Sequence, residues 1–222
     1  SDRHLATTLA MVMAMAQANA SFPLAALGLR LGPLLAFSLL GGLVAAAATY
    51  YLFARSLDCS EVSLDETMQH RVVSDTKGVL DTINHAGAEA FRISVGAIPM
   101  LVLSLVVVTA LSEIGAIALL TSLLAPAMAA LNLDTALILP TLTKYLAGGT
   151  AMMGVMADML RAGTASVELL NQSAGFLIQP LDIPGVAILI AAGRRVAAVW
   201  KPAALGAVVG ILVRTLGHAL LG

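Results

Sequence analysis

Long apolar runs alternate with short polar interruptions along this chain. A bilayer-spanning helix needs about 20 apolar residues. Residues 5–20 are apolar except for Thr7, Thr8, Gln17 and Asn19, and then meet Ser21 and Pro23. They predict either one spanning helix or a helix that breaks at Asn19–Pro23, with a short second piece reaching Arg30. Residues 31–54 carry no charge and predict the cleanest span. Within it, Gly41-Gly42 and the alanines at 45–48 form a small-residue face suited to close helix contact. Tyr50, Tyr51 and Phe53 stand where an interfacial aromatic belt would lie.

The pattern then turns hydrophilic. Residues 56–92 hold Asp58, Glu61, Asp65, Glu66, Arg71, Asp75, Lys77, Asp81, Glu89 and Arg92. From Val72 onward the apolar positions Val73, Val79, Leu80, Ile83, Ala86, Ala90 and Ile93 follow helical spacing. That spacing predicts an amphipathic helix leading into the next span. Apolar runs at 93–112 and 114–133, the second interrupted at Pro126, predict a two-helix hairpin turning at Ser112-Glu113. The last run, 196–221, predicts a final span anchored by Trp200 and Lys201, with Gly206 and Gly210 as a packing face.

Two later runs are interrupted in a different way. Residues 139–158 carry Pro140, Lys144, Gly148-Gly149 and Asp158 among apolar neighbours. A proline withholds a backbone donor and a glycine pair favours unwinding, so carbonyls and N–H groups come free together. Such backbone survives at membrane depth only where protein or a polar cavity satisfies it. This predicts a discontinuous helix. Gln179-Pro180-Leu181-Asp182-Ile183-Pro184 predicts a second break, because two prolines four residues apart preclude an ordinary helix. Paired breaks of this kind point to a transporter site.

Composition agrees with a membrane setting. Hydrophobic residues make up 59% of the 222 and charged residues 11%, against about a quarter charged in soluble domains. The net charge of −1 and the lack of a basic tract give no sign of a nucleic-acid partner. The single cysteine, Cys59, excludes an internal disulfide and reads as an inert thiol. The chain opens Ser1-Asp2-Arg3-His4 and turns apolar at once. The lack of an initiator Met leads to the expectation of residues upstream, and with no small-residue cleavage pattern and no soluble domain after the first run a cleavable signal peptide is not expected. Arg55–Arg92 and Arg194, Arg195 and Lys201 form the basic clusters, which places both on the cytoplasmic side. The expectation is an all-α polytopic protein of the bacterial inner membrane, with six or seven crossings that include two broken or re-entrant helices.

Ionisable groups at membrane depth are costly and so become candidates for function. Lys144 between Pro140 and Gly148-Gly149 suits an anionic group; the alternative is a snorkelling or structural lysine paired with Asp134 or Asp158. Asp182 with Gln179 gathers a carboxylate, an amide and freed carbonyls; the alternative is an exposed loop turn between two short helices. Gly148, Gly149 and Thr150 open a helix whose N-terminus suits an anion, and Asn171 adds a hydrogen-bonding group before the second break. The substrate-binding candidates are thus Lys144, Gly148, Gly149, Thr150, Asn171, Gln179 and Asp182. Asp158 and Asp182 are candidates for an ion or proton site; the alternative for Asp158 is a carboxylate facing water in the last turn of a half-helix. His4, His70, His85 and His218 show no metal spacing, and no nucleophile–base order or phosphate loop is present. No enzyme activity, metal or cofactor is expected.

From about Gly87 to Leu221 the chain resembles the nucleoside-recognition or Gate domain family, which includes spore maturation proteins A and B and the Gate regions of ferrous iron transporter B. The resemblance rests on Gly87-Ala88-Glu89-Ala90-Phe91-Arg92 leading to Ile98-Pro99-Met100, and on Leu124-Ala125-Pro126 before Leu139-Pro140. Its main carrier is Lys144-Tyr145-Leu146-Ala147-Gly148-Gly149-Thr150-Ala151-Met152-Met153-Gly154, similar to the basic, small-residue and glycine run that opens a helix in that family. The spore maturation B type usually shows Arg-Pro-Leu-Ser-Gly-Ser-Gly where this chain has Lys144 to Thr150. The resemblance implies transport or binding of a polar solute, a nucleoside among the candidates, and makes residues 93–222 a Gate-like membrane domain; the polarity pattern sets off N-terminal transmembrane helices (1–55) and a polar cytoplasmic loop (56–92) before it. The expected function is a transporter or permease-like protein whose small polar or ionic solute sits between the two breaks. The alternative is a non-transporting membrane scaffold or regulatory module acting through the 56–92 loop. The lipid bilayer and a second copy or another membrane protein are the expected partners.

Overall fold

A computed structural model describes residues 1–57, 78–85, 113–130, 134–191 and 193–221, together with isolated positions between 87 and 111. Most of the expected polar loop, Cys59 and most of the expected 93–112 span lie outside the described residues; within them, 79–85 are helical. No strand occurs among the described residues. The helices in chain order are α1 (Asp2–Ala14), α2 (Ala18–Ala25), α3 (Leu31–Ala48), α4 (Ala116–Ala130), α5 (Ile138–Ala147), α6 (Gly149–Arg161), α7 (Val167–Leu177), α8 (Ile183–Ala191) and α9 (Arg194–Leu221). A π-helical turn, Thr49–Phe53, extends α3.

Among the described residues three helical stretches are long and apolar enough to cross a membrane: Asp2–Ala25 (α1 with α2), Leu31–Phe53 and Arg194–Leu221. At 1.5 Å per residue the 28 residues of α9 reach about 42 Å, more than the roughly 30 Å of a hydrocarbon core. Helices α5 to α8 hold 10, 13, 11 and 9 residues, and each is too short to cross alone.

Helices α1, α3 and α9 form one packed group. Arg3 donates from Nε and Nη2 to the Tyr50 carbonyl at 3.0 and 2.6 Å, and Arg195 donates to Asp2 Oδ1 at 2.6 Å. The start of α1, the end of α3 and the start of α9 therefore share one end of the bundle. The small-residue faces explain the packing. A Cβ on Gly210 would lie 2.8 Å from the Ala45 Cβ, and one on Gly41 would lie 2.8 Å from the Gly210 carbonyl oxygen. Both expected faces meet each other within one chain, so a homodimer would have to use another surface. Leu35, Leu39 and Leu43 on α3 and Leu205, Leu212 and Leu216 on α9 are exposed, which leaves an apolar outer surface suited to lipid tails.

The first helix breaks earlier than Asn19 and Pro23 suggest. Helix α1 ends at Ala14, Met15 is extended, and the Ser38 hydroxyl takes the Ala16 N–H at 2.7 Å. Helix α2 then runs through Asn19 and Pro23 without interruption. Pro126 likewise lies inside α4. A helix tolerates a proline when other groups satisfy the carbonyl it leaves free.

Candidate functional site

Pro140 does not unwind its helix. It stands in the first turn of α5, where the missing N–H has no helical acceptor in any case. The break is one residue wide, at Gly148, whose φ of +89° with ψ of 173° is a conformation left almost entirely to glycine. Gly149 is already the first residue of α6. Lys144 consequently lies in the last turn of α5, and the N-terminus of α6 opens immediately beyond it.

The second break spans residues 178–182, between α7 and α8. Gln179 shapes it: its Oε1 accepts from the Leu181 N–H, and its Nε2 donates to the Phe176 carbonyl at 3.1 Å. Asp182 then caps α8, with Oδ1 accepting from the Gly185 N–H at 2.6 Å. An aspartate at this position satisfies a donor that the first turn leaves free. Pro184 occupies a first-turn position in α8, where proline is well placed.

The two breaks meet. Lys144 Nζ donates to the free oxygen of Asp182, Oδ2, and their side chains are 0% and 2% exposed. A Cβ placed on Gly148 would sit 3.6 Å from Pro184 and 3.8 Å from Asp182 Oδ1, so the α6 N-terminus adjoins the pair. The Tyr145 ring lies beside the pair, its centre 5.8 Å from Lys144 Nζ. The Thr143 hydroxyl, one residue before Lys144, is buried without a hydrogen-bond partner among the described residues.

The α1–α2 break joins the same region. Asn19 Nδ2 donates to the Thr150 hydroxyl at 3.1 Å, and a Cβ on Gly149 would meet the Gln17 amide carbon at 3.3 Å. Gln17 Oε1 is a buried acceptor without a partner among the described residues. Thr150 itself is exposed.

The remaining candidates lie elsewhere. Asn171 spends its amide on the loop between α2 and α3, accepting from Arg30 N at 2.8 Å and donating to the carbonyls of Gly28 and Val167 at 3.1 and 2.8 Å. Asp158 is 80% exposed and pairs with Arg161 at 3.0 Å. A cavity of about 370 Å³ between α7 and α9, lined by Asp134, Glu168, Gln172, Phe176 and Thr215 among others, is reached by neither Lys144 nor Asp182.

Arg214 is a residue that break-reading alone passes over. It is fully buried in α9 and pairs with no carboxylate among the described residues. Its Nη1 donates to Ala14 O at 2.6 Å and its Nη2 to Ile178 O at 3.0 Å. Both carbonyls terminate a broken helix, where the macrodipole presents partial negative charge. One turn on, His218 places Nδ1 2.9 Å from the Asn171 carbonyl and lies against Phe37. The signal for Arg214 was plain: an arginine inside an apolar span is a site candidate by default.

No group of three or more His, Cys, Asp or Glu residues placed to hold a metal occurs among the described residues. Comparison with protein-family models, with curated proteins and with solved structures gives no match.

Proposed function

We propose that the chain is a multi-pass helical protein of the bacterial inner membrane that binds and moves a small polar or ionic solute between its discontinuous helices. Six or seven crossings follow if the two broken helices and the 93–133 hairpin join the three long spans. The observation that carries the reading is the Lys144–Asp182 pair. It brings a cation and an anion from separate breaks to one fully buried point, where ionisable groups are costly and commonly serve function. Broken helices with their termini directed at one place are the usual architecture of a midplane transport site. The resemblance of residues 87–221 to the Gate domain family supports the same reading.

The test is uptake and binding by purified protein in liposomes across panels of nucleosides, amino acids and inorganic ions. A saturable solute whose binding falls with both Lys144→Ala and Asp182→Asn is the expected result. If both variants handle that solute like the unaltered protein, the site is wrong. A second reading, a membrane scaffold acting through residues 56–92, is favoured by one observation: the junction is closed, with both charged side chains shut away from solvent. Absence of any uptake, with a partner retained by the 56–92 segment, would select it.

A further inference from the structure

We propose that the solute at this junction is a zwitterion, a small molecule carrying a carboxylate-like group and an ammonium group a few bonds apart. The inference rests on the transport reading above and narrows it to a substrate class.

The argument begins with what entry requires. The Lys144 and Asp182 side chains are 0% and 2% exposed and bonded to each other, so a solute reaches either only by parting them. Parting leaves one positive and one negative charge buried, and an unpaired buried charge is strongly unfavourable. A lone anion compensates Lys144 and strands Asp182. A lone cation does the reverse. An uncharged solute such as a nucleoside offers only dipoles to both. A zwitterion restores each ionic contact and keeps the site at zero net charge.

The surroundings assign each half of the solute a place. Asp182 Oδ1 is committed to the Gly185 N–H, whereas among the described residues Oδ2 is held by Lys144 alone. Oδ2 is therefore the atom an incoming ammonium would take. Lys144 is followed within a turn by Gly148 and the first turn of α6, and the Gly148 backbone adjoins Asp182. A carboxylate displaced onto Lys144 Nζ would thus lie on the side of the pair where α6 begins, the positive end of a helix. Thr143, nine-tenths or more buried with an unpartnered hydroxyl, stands next to Lys144 in the chain. No comparable cation-and-anion pair of buried side chains occurs elsewhere among the described residues.

The experiment uses the full chain in lipid nanodiscs and equilibrium binding of radiolabelled probes. The probes are the proteinogenic amino acids and betaines, the matched amines, the matched carboxylic acids, and a set of nucleosides. At least one zwitterion is expected to bind saturably, about tenfold or more tighter than its matched amine and acid, the scale of one lost ionic contact. Asp182→Asn should then shift preference towards the plain acid and Lys144→Met towards the plain amine. A general loss of folding would not produce opposite shifts in the two variants. Saturable binding of a nucleoside or of a single-charge probe without zwitterion binding overturns this inference and leaves the transport reading standing. No binding by any class overturns this inference; the transport reading falls with it only if the liposome panel, inorganic ions included, also shows no uptake.

Discussion

Arg214 donates a 2.6 Å hydrogen bond to the carbonyl oxygen of Ala14, the last residue of the first helix before it breaks. Its other terminal nitrogen holds Ile178 O in the same way, so one guanidinium ties the α1–α2 break to the α7–α8 break. Two helix C-termini take the place of a counter-ion. Two terms oppose each other when this arginine is replaced. Relief from burying a cation favours the variant. Loss of two charge-assisted hydrogen bonds, each worth about 1.5–3 kcal/mol, disfavours it. The carbonyls left behind are buried, so the second term should win. Arg214→Met is expected to lower the thermal midpoint of the purified protein in detergent. Arg214→Ala should lower it further, because the Arg214 stem also fills the space against Gly41. A midpoint for Arg214→Met at or above that of the unaltered protein would show that the clamp does not hold the breaks.

The α3–α9 contact depends on missing Cβ atoms. Gly210→Val would press into Ala45 and the α3 backbone, and overpacking of this kind costs about 1–3 kcal/mol. Gly154 on α6 is the control: it is exposed and a Cβ there meets nothing within 4 Å. Gly154→Ala is therefore expected to stabilise by about 0.5–1 kcal/mol through helix propensity alone. Thermal unfolding of both variants in the same detergent checks the pair, and equal shifts would contradict the packing account.

At the first break the decisive quantity is backbone conformation. Gly148 has φ +89°, whereas the nearest atoms to an added Cβ are at ordinary contact distance, 3.6 Å or more. Gly148→Ala should thus cost about 1–3 kcal/mol by strain, with little from crowding. Gly149→Ala meets the side chain of Gln17 instead, which can shift, and should cost less. Should Gly149→Ala prove the more damaging of the two, the single-residue break would be misplaced.

The long spans were legible because their signal is additive: a run of apolar residues needs no knowledge of its neighbours. Gly206 and Gly210 were legible as a face for the same reason, although their occupant, α3 of the same chain, was not. The breaks were only partly legible. Proline marks where a donor is absent, yet Pro23, Pro126 and Pro140 all lie inside helices, because cost depends on position and on what satisfies the freed carbonyl. The true interruptions fall at Met15 to Gln17, where Ser38 supplies a hydroxyl from another helix, at Gly148, and at residues 178–182. Contacts across long separations carry no local spacing. Asn171 reads as a free amide beside a break, but Gly28 and Arg30, some 140 positions away, consume it. The meeting of Lys144 with Asp182, 38 residues apart, belongs to the same class.

That meeting sets the sharpest test of whether the pair serves stability or solute handling. Removing one member of a buried pair leaves the other charge unpaired and typically costs about 3–5 kcal/mol, whereas replacing both with apolar residues of similar volume is often neutral or better. Lys144→Met and Asp182→Leu should each lower the thermal midpoint strongly. The double variant should recover part of the loss, reduced by the donor of Gly185 that Asp182 now caps. Asp158→Ala, at an exposed pair, should change stability by less than about 1 kcal/mol and serves as the baseline. If the pair exists for packing alone, the recovered double variant should retain the uptake of the unaltered protein. If it exists for the solute, stability returns and uptake does not. A double variant that is both stable and fully active would remove Lys144 and Asp182 from the site.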